Sequence, residues 1–352
     1  MKLETFDEVL NSIRRNKKRQ FHLLLGNGFS VAYDPDIFSY NALHNFVSDL
    51  NDKDLSVILE VIETRNFEVI MQYLDSFSAL VTAFDGDPSL KTRVDRASAK
   101  LKESLLNAVK ALHPEHVFTI PEGQSKACAN FLKIFLDSGG SIYSTNYDLL
   151  LYWVLMRNSV LNHVDGCGRE LENDTGEFME PEDQIWSDLI WGINREDQNV
   201  FYLHGALPFF DNGVDVIKEE YDQYNYLLEK VSARMEKGEY PIFVTAGDGQ
   251  QKLNHITHNQ YLTYCYDNFC EAEGSLVTFG FGFGPYDDHI IDAINSAAKK
   301  SAYEKLWSVY IGVYSAKDKE HIEKLERKGA FRCKVHVYDA TTVNLWGEDE
   351  ET

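Results

Sequence analysis

Residues 23–30 read Leu-Leu-Leu-Gly-Asn-Gly-Phe-Ser, so an apolar run passes directly into a Gly-x-Gly turn and then into a stretch able to form a helix. A short apolar run bounded by glycine is typical of a buried parallel strand. Glycines at the end of such a strand let the backbone approach a phosphate, and N–H groups at the helix start can hold an anion. The segment predicts a ligand near Gly26, Asn27 and Gly28, although a plain tight turn explains these residues equally well.

The turn departs from the fingerprint of dinucleotide-binding dehydrogenases. Val31 stands where that fingerprint has its third glycine, and no acidic residue ends an evident second strand nearby. The segment is therefore not the signature of an ordinary dehydrogenase.

Further short β-branched or aromatic runs, each bounded by Gly, Asn or Asp, recur along the chain. They cover residues 141–144, 200–203, 241–244, 276–279, 307–311 and 335–338. Between them lie stretches in which apolar residues have helical spacing, such as Phe67, Ile70, Met71 and Leu74. Strands that alternate with helices predict an α/β fold with a Rossmann-like, doubly wound and mostly parallel sheet.

The chain is predicted to form a single domain over residues 1–352 with two insertions. Residues 26–140 separate the first two strands, far more than one crossover helix requires, and residues 41–115 carry apolar helical spacing, so we place a helical insertion there. A second, more polar insertion of unassigned structure spans residues 156–198. The acidic tail, residues 347–352, is expected to be disordered.

Composition and charge narrow the class of protein. The chain has a formal net charge of −22, which argues against binding to a nucleic-acid backbone. No apolar run reaches the roughly 18 residues that span a bilayer, and no signal-peptide pattern opens the chain, so a cytoplasmic protein without a membrane partner is expected. The five cysteines form no Cys-x-x-Cys pair, so no metal site is indicated.

Polar residues follow the second predicted strand. Thr145, Asn146 and Asp148 come at its carboxyl end, where open α/β sheets bind ligands. An amide and a carboxylate there can hold a ribose and a water. A second interpretation, in which Asn146 and Asp148 cap the helix that follows, fits these residues as well.

A histidine and a glycine-rich loop follow two later strands. His204 ends an apolar strand and precedes a glycine, where it can accept a proton near neutral pH, although a lone histidine is more often structural. Gly280 and Gly282 allow close approach to a ligand, and Asp287 either contacts that ligand or caps the next helix. Because the ends of parallel strands meet at one edge, these motifs predict one crevice.

In this order, the motifs resemble those of the SIR2 superfamily, in particular the SIR2-like proteins of bacterial defence systems and the uncharacterised bacterial family DUF4917. In sirtuins a glycine-alanine-glycine loop cradles the NAD phosphates, a Gln-Asn-Ile-Asp segment positions the nicotinamide ribose, and a histidine before a glycine acts as base. The resemblance implies that NAD+ contacts Gly26, Asn27, Gly28, Ser30, Phe38, Thr145, Gly280, Gly282 and Asp287.

The resemblance also implies catalytic roles for three residues. Asn146 would orient the attacking water, His204 would act as the base, and Asp148 would support the ribose. Cleavage of the nicotinamide–ribose bond passes through an oxocarbenium-like state, which requires an oxygen near C1′, a held water and exclusion of solvent. Nicotinamide is an adequate leaving group, so NAD+ is expected as the substrate without a metal.

Two departures from sirtuins change the expected reaction. No cysteine follows Gly205 until Cys265, so the four-cysteine zinc module of sirtuin deacylases is absent. Residues 36–39 keep an aromatic residue, Phe38, but lack the arginine of the sirtuin Asp-Phe-Arg segment. We therefore expect water as the acceptor, and an NAD+ glycohydrolase that acts as an effector of bacterial anti-phage or abortive-infection defence.

Two alternative functions remain at this point. A catalytically silent module that senses NAD or an ADP-ribose derivative would need the glycine loop but not His204. A protein deacylase or ADP-ribosyltransferase is disfavoured by the missing cysteines. Because an unregulated NAD+ hydrolase would kill its host, we expect a homo-oligomer, a regulatory partner protein that senses infection, or both.

Overall fold

The computed structural model of the protein describes residues 3–15, 20–35, 52–62, 67–169, 188–222, 224–244, 249–299 and 305–347. The helices are α1 (Phe6–Arg14), α2 (Gly28–Val31), α3 (Lys53–Ile62), α4 (Phe67–Ala83), α5 (Pro88–Leu112), α6 (Glu122–Leu136), α7 (Leu150–Arg157), α8 (Leu227–Glu236), α9 (Gly249–His258), α10 (Gln260–Cys270), α11 (Asp288–Ala298) and α12 (Ala316–Arg327). The strands are β1 (Phe21–Leu25), β2 (Ile142–Ser144), β3 (Cys167–Gly168), β4 (Leu189–Trp191), β5 (Val200–Tyr202), β6 (Gly205–Asp211), β7 (Val216–Lys218), β8 (Pro241–Phe243), β9 (Gly274–Phe279), β10 (Leu306–Val313) and β11 (Lys334–Asp339).

A sheet of six strands forms the centre of the fold, in the order β11-β10-β9-β1-β2-β5. All neighbouring strands in it are parallel, and helices flank the sheet. Ranked by their position in the chain, these six strands follow the order 3-2-1-4-5-6 of the Rossmann fold. The predicted Rossmann-like α/β fold is confirmed.

Strand β1 suits the middle of this sheet because four of its five residues are apolar and all five are buried. Leu23, Leu24 and Leu25 are fully buried, as expected for a parallel strand covered on both sides. Leu25 pairs with Ser144 of β2 on one side and with Phe279 of β9 on the other. The three strand ends therefore come level at one edge, and the strand order reverses between β1 and β9.

The second sheet is antiparallel, in the order β3-β4-β7-β6-β8. The run 241–244, predicted as a parallel strand, forms β8 of this sheet. In its pairing with β6, Gly205 lies opposite Phe243 and Phe210 lies opposite Pro241. That part of the prediction was wrong, because a short, wholly apolar run has the same composition in either kind of sheet.

Between β1 and β2 the described residues are mainly helical, with α3, α4, α5 and α6 in succession. Part of the predicted insertion, residues 41–115, lies outside the described residues. The described parts of residues 156–198 include β3 and β4 of the second sheet. All of the predicted disordered tail after Gly347 lies outside the described residues, and the boundaries of the domain and its insertions stay predictions.

A helix that spans a membrane is long and predominantly apolar. The longest of the described helices, α5, has 25 residues but carries charged side chains along its length. Within the described ranges, no helix is both long and apolar enough to cross a membrane.

Candidate functional site

The carboxyl edge of the parallel sheet brings the predicted polar residues together. Asn146 and Asp148 follow β2, Ser30 lies in α2 just after β1, and His204 follows β5. All four side chains are buried. Ser30 is hydrogen-bonded to both Asn146 and Asp148, and these three residues are called the polar cluster below.

The carboxamide of Asn146 is fixed by the first glycine loop and by α2. Its Nδ2 donates to the carbonyl oxygen of Gly26 and to Oγ of Ser30, each at 3.0 Å. Because a carbonyl oxygen only accepts, the contact with Gly26 determines which way the amide points. Both amide hydrogens therefore face protein acceptors, and the carboxamide oxygen is the atom of Asn146 that can serve a ligand.

Ser30 links Asn146 to Asp148. Its hydroxyl donates to Oδ2 of Asp148 at 2.5 Å, while Oδ1 accepts the N–H of Leu150 at 3.0 Å. Burial raises the pKa of Asp148 to about 6, and these hydrogen bonds oppose the shift. The contact with Leu150 satisfies part of the start of α7, so Asp148 supports the helix and the site together. The predicted contact of Ser30 with a phosphate stays a prediction.

The glycine loops after β1 and β9 pack directly on each other. Gly26 N–H donates to the Phe279 carbonyl at 3.0 Å, and Gly28 N–H donates to the Gly280 carbonyl at 2.8 Å. A Cβ on Gly28 would lie 2.6 Å from Cα of Gly280. Gly280 has a φ of +68°, and a Cβ there would lie 2.5 Å from the nitrogen of Phe29. The loop contact itself therefore requires these glycines, and their contact with phosphate stays a prediction.

The remaining predicted ligand contacts are spread along the same edge. Asn27 is exposed at the tip of the first loop. Thr145 is buried, and its hydroxyl donates to a carbonyl of β1 at 3.2 Å. Gly282 faces open space where a Cβ would lie. Phe38, which the resemblance also implies at this site, lies outside the described residues.

Asp287 precedes α11, but its carboxylate does not cap that helix. One oxygen accepts the N–H of Gly284 at 3.0 Å, and the other pairs with Nζ of Lys252 in α9 at 3.0 Å. The lysine side chain is largely buried. This ion pair ties α9 to the glycine-rich loop that follows β9.

His204 contacts a second histidine, His289 in α11. The two Nε2 atoms lie 2.8 Å apart, and the ring centroids are 5.1 Å apart, so the rings meet head to head. The backbone of Thr145 lies close to the His204 ring and opposes the lowering of its pKa. Both histidines are buried, with exposed fractions of 4% for His204 and 1% for His289.

Both histidines are held in the neutral form. Burial lowers the pKa of His204 well below its usual value, and the nearby His289, Lys252 and His255 lower it further. Burial lowers the pKa of His289 to about 4, Lys252 adds to the shift, and Asp287 opposes it. At neutral pH each ring therefore has one donor and one acceptor nitrogen. Among the described residues, no three His, Cys, Asp or Glu side chains group so as to hold a metal ion.

A cavity of about 890 Å³ lies beside the glycine loops, towards β10. Its walls include Ala32 just after α2, Phe281 of the second loop, Val313 at the end of β10, and Trp346. Trp346 is anchored by a hydrogen bond from Nε1 to the carbonyl of Phe29 at 2.9 Å. Small-molecule sites commonly have volumes of roughly 300–1,000 Å³, so this cavity has room for a nucleotide-sized ligand.

Sequence reasoning missed His289, Lys252 and Trp346. His289 lies two residues after the predicted Asp287, at the start of a helix. Its place next to a predicted site residue was the signal that could have identified it. Lys252 and Trp346 lie in segments without a recognisable motif.

The fold and this edge define a class: a Rossmann-like α/β protein with buried polar side chains where its strand order reverses. Within that class, the chain belongs to the family described as a domain of unknown function, DUF4917, whose model matches residues 23–346. The predicted resemblance to that family is confirmed. No curated protein matches the chain.

Proposed function

We propose that this protein is a SIR2-like NAD+ glycohydrolase, which hydrolyses NAD+ to nicotinamide and ADP-ribose. The observation that carries the proposal is the fixed carboxamide of Asn146, held between the carbonyl of Gly26 and the hydroxyl of Ser30. It lies next to the end of β1, beside the reversal of strand order at which Rossmann-like sheets bind nucleotides. The order of the motifs along the chain, which resembles that of SIR2 proteins, also supports the proposal.

The two halves of NAD+ would occupy different places along the edge. The adjoining cavity has room for the ADP half, and the glycine loops lie between that cavity and the polar cluster. Gly28, Gly280 and Gly282 line the cavity and would face the phosphates, with Asn27 and Thr145 alongside. The nicotinamide ribose would then lie next to Asn146.

In the proposed reaction, the carboxamide oxygen of Asn146 stabilises the positive charge that develops at C1′ and holds the attacking water. The bond between C1′ and the nicotinamide nitrogen breaks, and its electron pair leaves with nicotinamide. The water oxygen bonds to C1′, and its proton passes to His204 directly or through a ribose hydroxyl. Burial of these groups strengthens their electrostatic effect on the reacting atoms.

Asp148 acts on Asn146 through Ser30. Its carboxylate accepts the hydroxyl hydrogen of Ser30, which turns a lone pair of Ser30 towards the amide of Asn146. The carboxylate thereby keeps the carboxamide oriented and supports the ribose side of the site. This role requires the ionised form, which is populated above the pKa of about 6.

We further propose that the reaction serves bacterial anti-phage defence in the cytoplasm, in the manner of an abortive-infection effector. The resemblance to SIR2-like defence proteins supports this role. An enzyme that destroys NAD+ must be silent in an uninfected cell. Control would come from homo-oligomerisation, from a partner protein that senses infection, or from both.

The direct test incubates the purified protein with NAD+, alone and with candidate partners, and follows nicotinamide and ADP-ribose by chromatography. We expect equimolar release of the two products. Asn146→Ala and His204→Ala should each lower the rate at least about 100-fold, the usual size of such catalytic contributions. Asn162→Ala removes an exposed asparagine bonded to Asp137 and should leave the rate unchanged.

Three other outcomes would contradict the proposal in different ways. Release that survives both Asn146→Ala and His204→Ala would exclude the mechanism. Tight binding of NAD+ without release under any condition would indicate a sensor. Transfer of ADP-ribose to a protein would indicate a transferase.

A further inference from the structure

The hydrogen positions in the His204–His289 pair follow from their surroundings. The two Nε2 atoms lie 2.8 Å apart, so one of them carries the hydrogen of this contact and the other accepts it with a lone pair. A neutral ring holds one hydrogen, on either Nδ1 or Nε2. We assign the hydrogen of the contact to Nε2 of His289, so that His204 accepts with Nε2 and carries its own hydrogen on Nδ1.

The surroundings of His289 agree with this assignment. Its Nδ1 is buried and has no hydrogen-bond partner among the described residues. A hydrogen on Nδ1 would be left without an acceptor, and two lone pairs would then face each other across the Nε2 contact. Its backbone is held as well, since its carbonyl accepts the hydroxyl of Tyr266 at 2.8 Å.

We propose that His289 is a positioning residue for His204, an inference that rests on the NAD+ glycohydrolase function. His289 holds the His204 ring in the tautomer whose Nε2 can accept a proton, and it covers that lone pair until water or a ribose hydroxyl replaces it. An activated base that is oriented by a third group is a recurring arrangement in enzymes.

The pair also connects two parts of the site. His204 lies after β5, while His289 lies in α11, directly beyond the glycine-rich loop that lines the cavity. Asp287 and Lys252 pin the same loop to α9. Movement of that loop on ligand binding would therefore shift the group that covers His204.

The kinetic test compares two substitutions of His289. Gln places an amide nitrogen near the position of Nε2 and keeps a donor for His204, whereas Leu removes it. We expect His289→Leu to lower kcat for nicotinamide release about 100-fold with KM for NAD+ unchanged, and His289→Gln to restore most of kcat. Equal activity of wild type and His289→Leu, or failure of Gln to restore kcat lost in a folded Leu variant, would overturn the proposal.

A buried histidine elsewhere provides the matched control. His22 in β1 is 5% exposed, its pKa is lowered to about 4 by burial, and its Nδ1 accepts the N–H of Ser141 at 3.0 Å. His22→Leu should lower stability without changing kcat per folded molecule. A fall in kcat equal to that of His289→Leu would show that the effect is structural, and would overturn the proposal.

A spectroscopic test does not depend on NAD+ cleavage or on the Leu variant. In wild-type protein with 15N-labelled histidine, the spectrum should show His204 protonated at Nδ1 and a scalar coupling between the two Nε2 nuclei. In His289→Gln, His204 should keep this tautomer and lose the coupling. A His204 protonated at Nε2 in wild type would overturn the proposal. Absence of nicotinamide release alongside the predicted spectrum would instead count against the glycohydrolase function.

Discussion

The two sides of the glycine loops differ in their hydrogen bonding and in how much open space they contain. On the side of β2, the three residues of the polar cluster are buried, and Ser30 is hydrogen-bonded to both Asn146 and Asp148. On the side of β10, an open cavity of about 890 Å³ is lined by residues such as Val313 and Trp346. Hydrogen bonds fix the polar atoms of the first side in one geometry, whereas the second side contains open space. Under the proposed function, the reacting end of NAD+ would lie on the first side and its larger ADP half on the second.

The contact between the two glycine loops, which separates the two sides, should be the part of the molecule most sensitive to substitution. Gly280→Ala places a Cβ 2.5 Å from the Phe29 nitrogen and 2.6 Å from Cα of Gly28, at a φ of +68°. We expect a loss of about 3 kcal/mol or more in the free energy of unfolding, from backbone strain and overpacking together. Chemical denaturation measures this loss.

Gly282→Ala is the matched control for that substitution. It lies in the same loop, but a Cβ there would meet open space. Its free energy of unfolding should stay within about 0.5 kcal/mol of wild type. Similar losses for Gly280→Ala and Gly282→Ala would show that the loops are not held together as described.

The polar side should give stability an unusual dependence on pH. The pKa of Asp148 rises from 3.8 to about 6 on folding, mainly through burial. The folded state therefore binds this proton more tightly, and the stability it contributes is present below pH 3.8 and lost as pH rises through 6. Asp148→Asn should therefore gain on the order of 3 kcal/mol relative to wild type between pH 3.5 and pH 7.

The measurement is denaturant unfolding of both proteins across that pH range. The difference between the two curves isolates Asp148 from the other carboxylates that titrate there. A constant difference across the range would show that the carboxyl is not desolvated, and the contrast between the two sides would weaken.

The cavity side should affect binding more than chemistry. Ala32→Trp introduces a large side chain at the cavity wall. We expect KM for NAD+ to rise about tenfold, equivalent to roughly 1.4 kcal/mol of lost binding, with kcat unchanged. Ala83→Trp, at an exposed position in α4, should change neither constant. An unchanged KM for Ala32→Trp would remove the cavity from the NAD+ site.

The sequence predicted the sheet better than the contacts at its edge. Largely apolar runs such as 21–25 predict buried parallel strands, and most of these runs form the parallel sheet that the sequence predicted. The run 241–244 went to the wrong sheet, because its pairing with β6 depends on long-range register rather than composition.

The site was predictable only where a residue ends a strand. Asn146 and Asp148 stand at such an end, and the structure joins them through Ser30. His289 could not be singled out, because its partner is 85 positions away in the chain and the face of α11 that turns inward is set by packing. The glycines of the two loops predicted a close approach of the backbone to a ligand. In the structure, the backbone of each loop closely approaches the backbone of the other loop.

In the proposed division of the site, the polar side carries out the reaction and the cavity side binds the ADP half of NAD+. Nicotinamide release and ADP-ribose affinity, measured on the same preparation of Asn146→Ala, separate these two roles. We expect release to fall at least about 100-fold while ADP-ribose binds as tightly as it does to wild type. Release at the wild-type rate, or loss of ADP-ribose binding in a folded protein, would contradict this division.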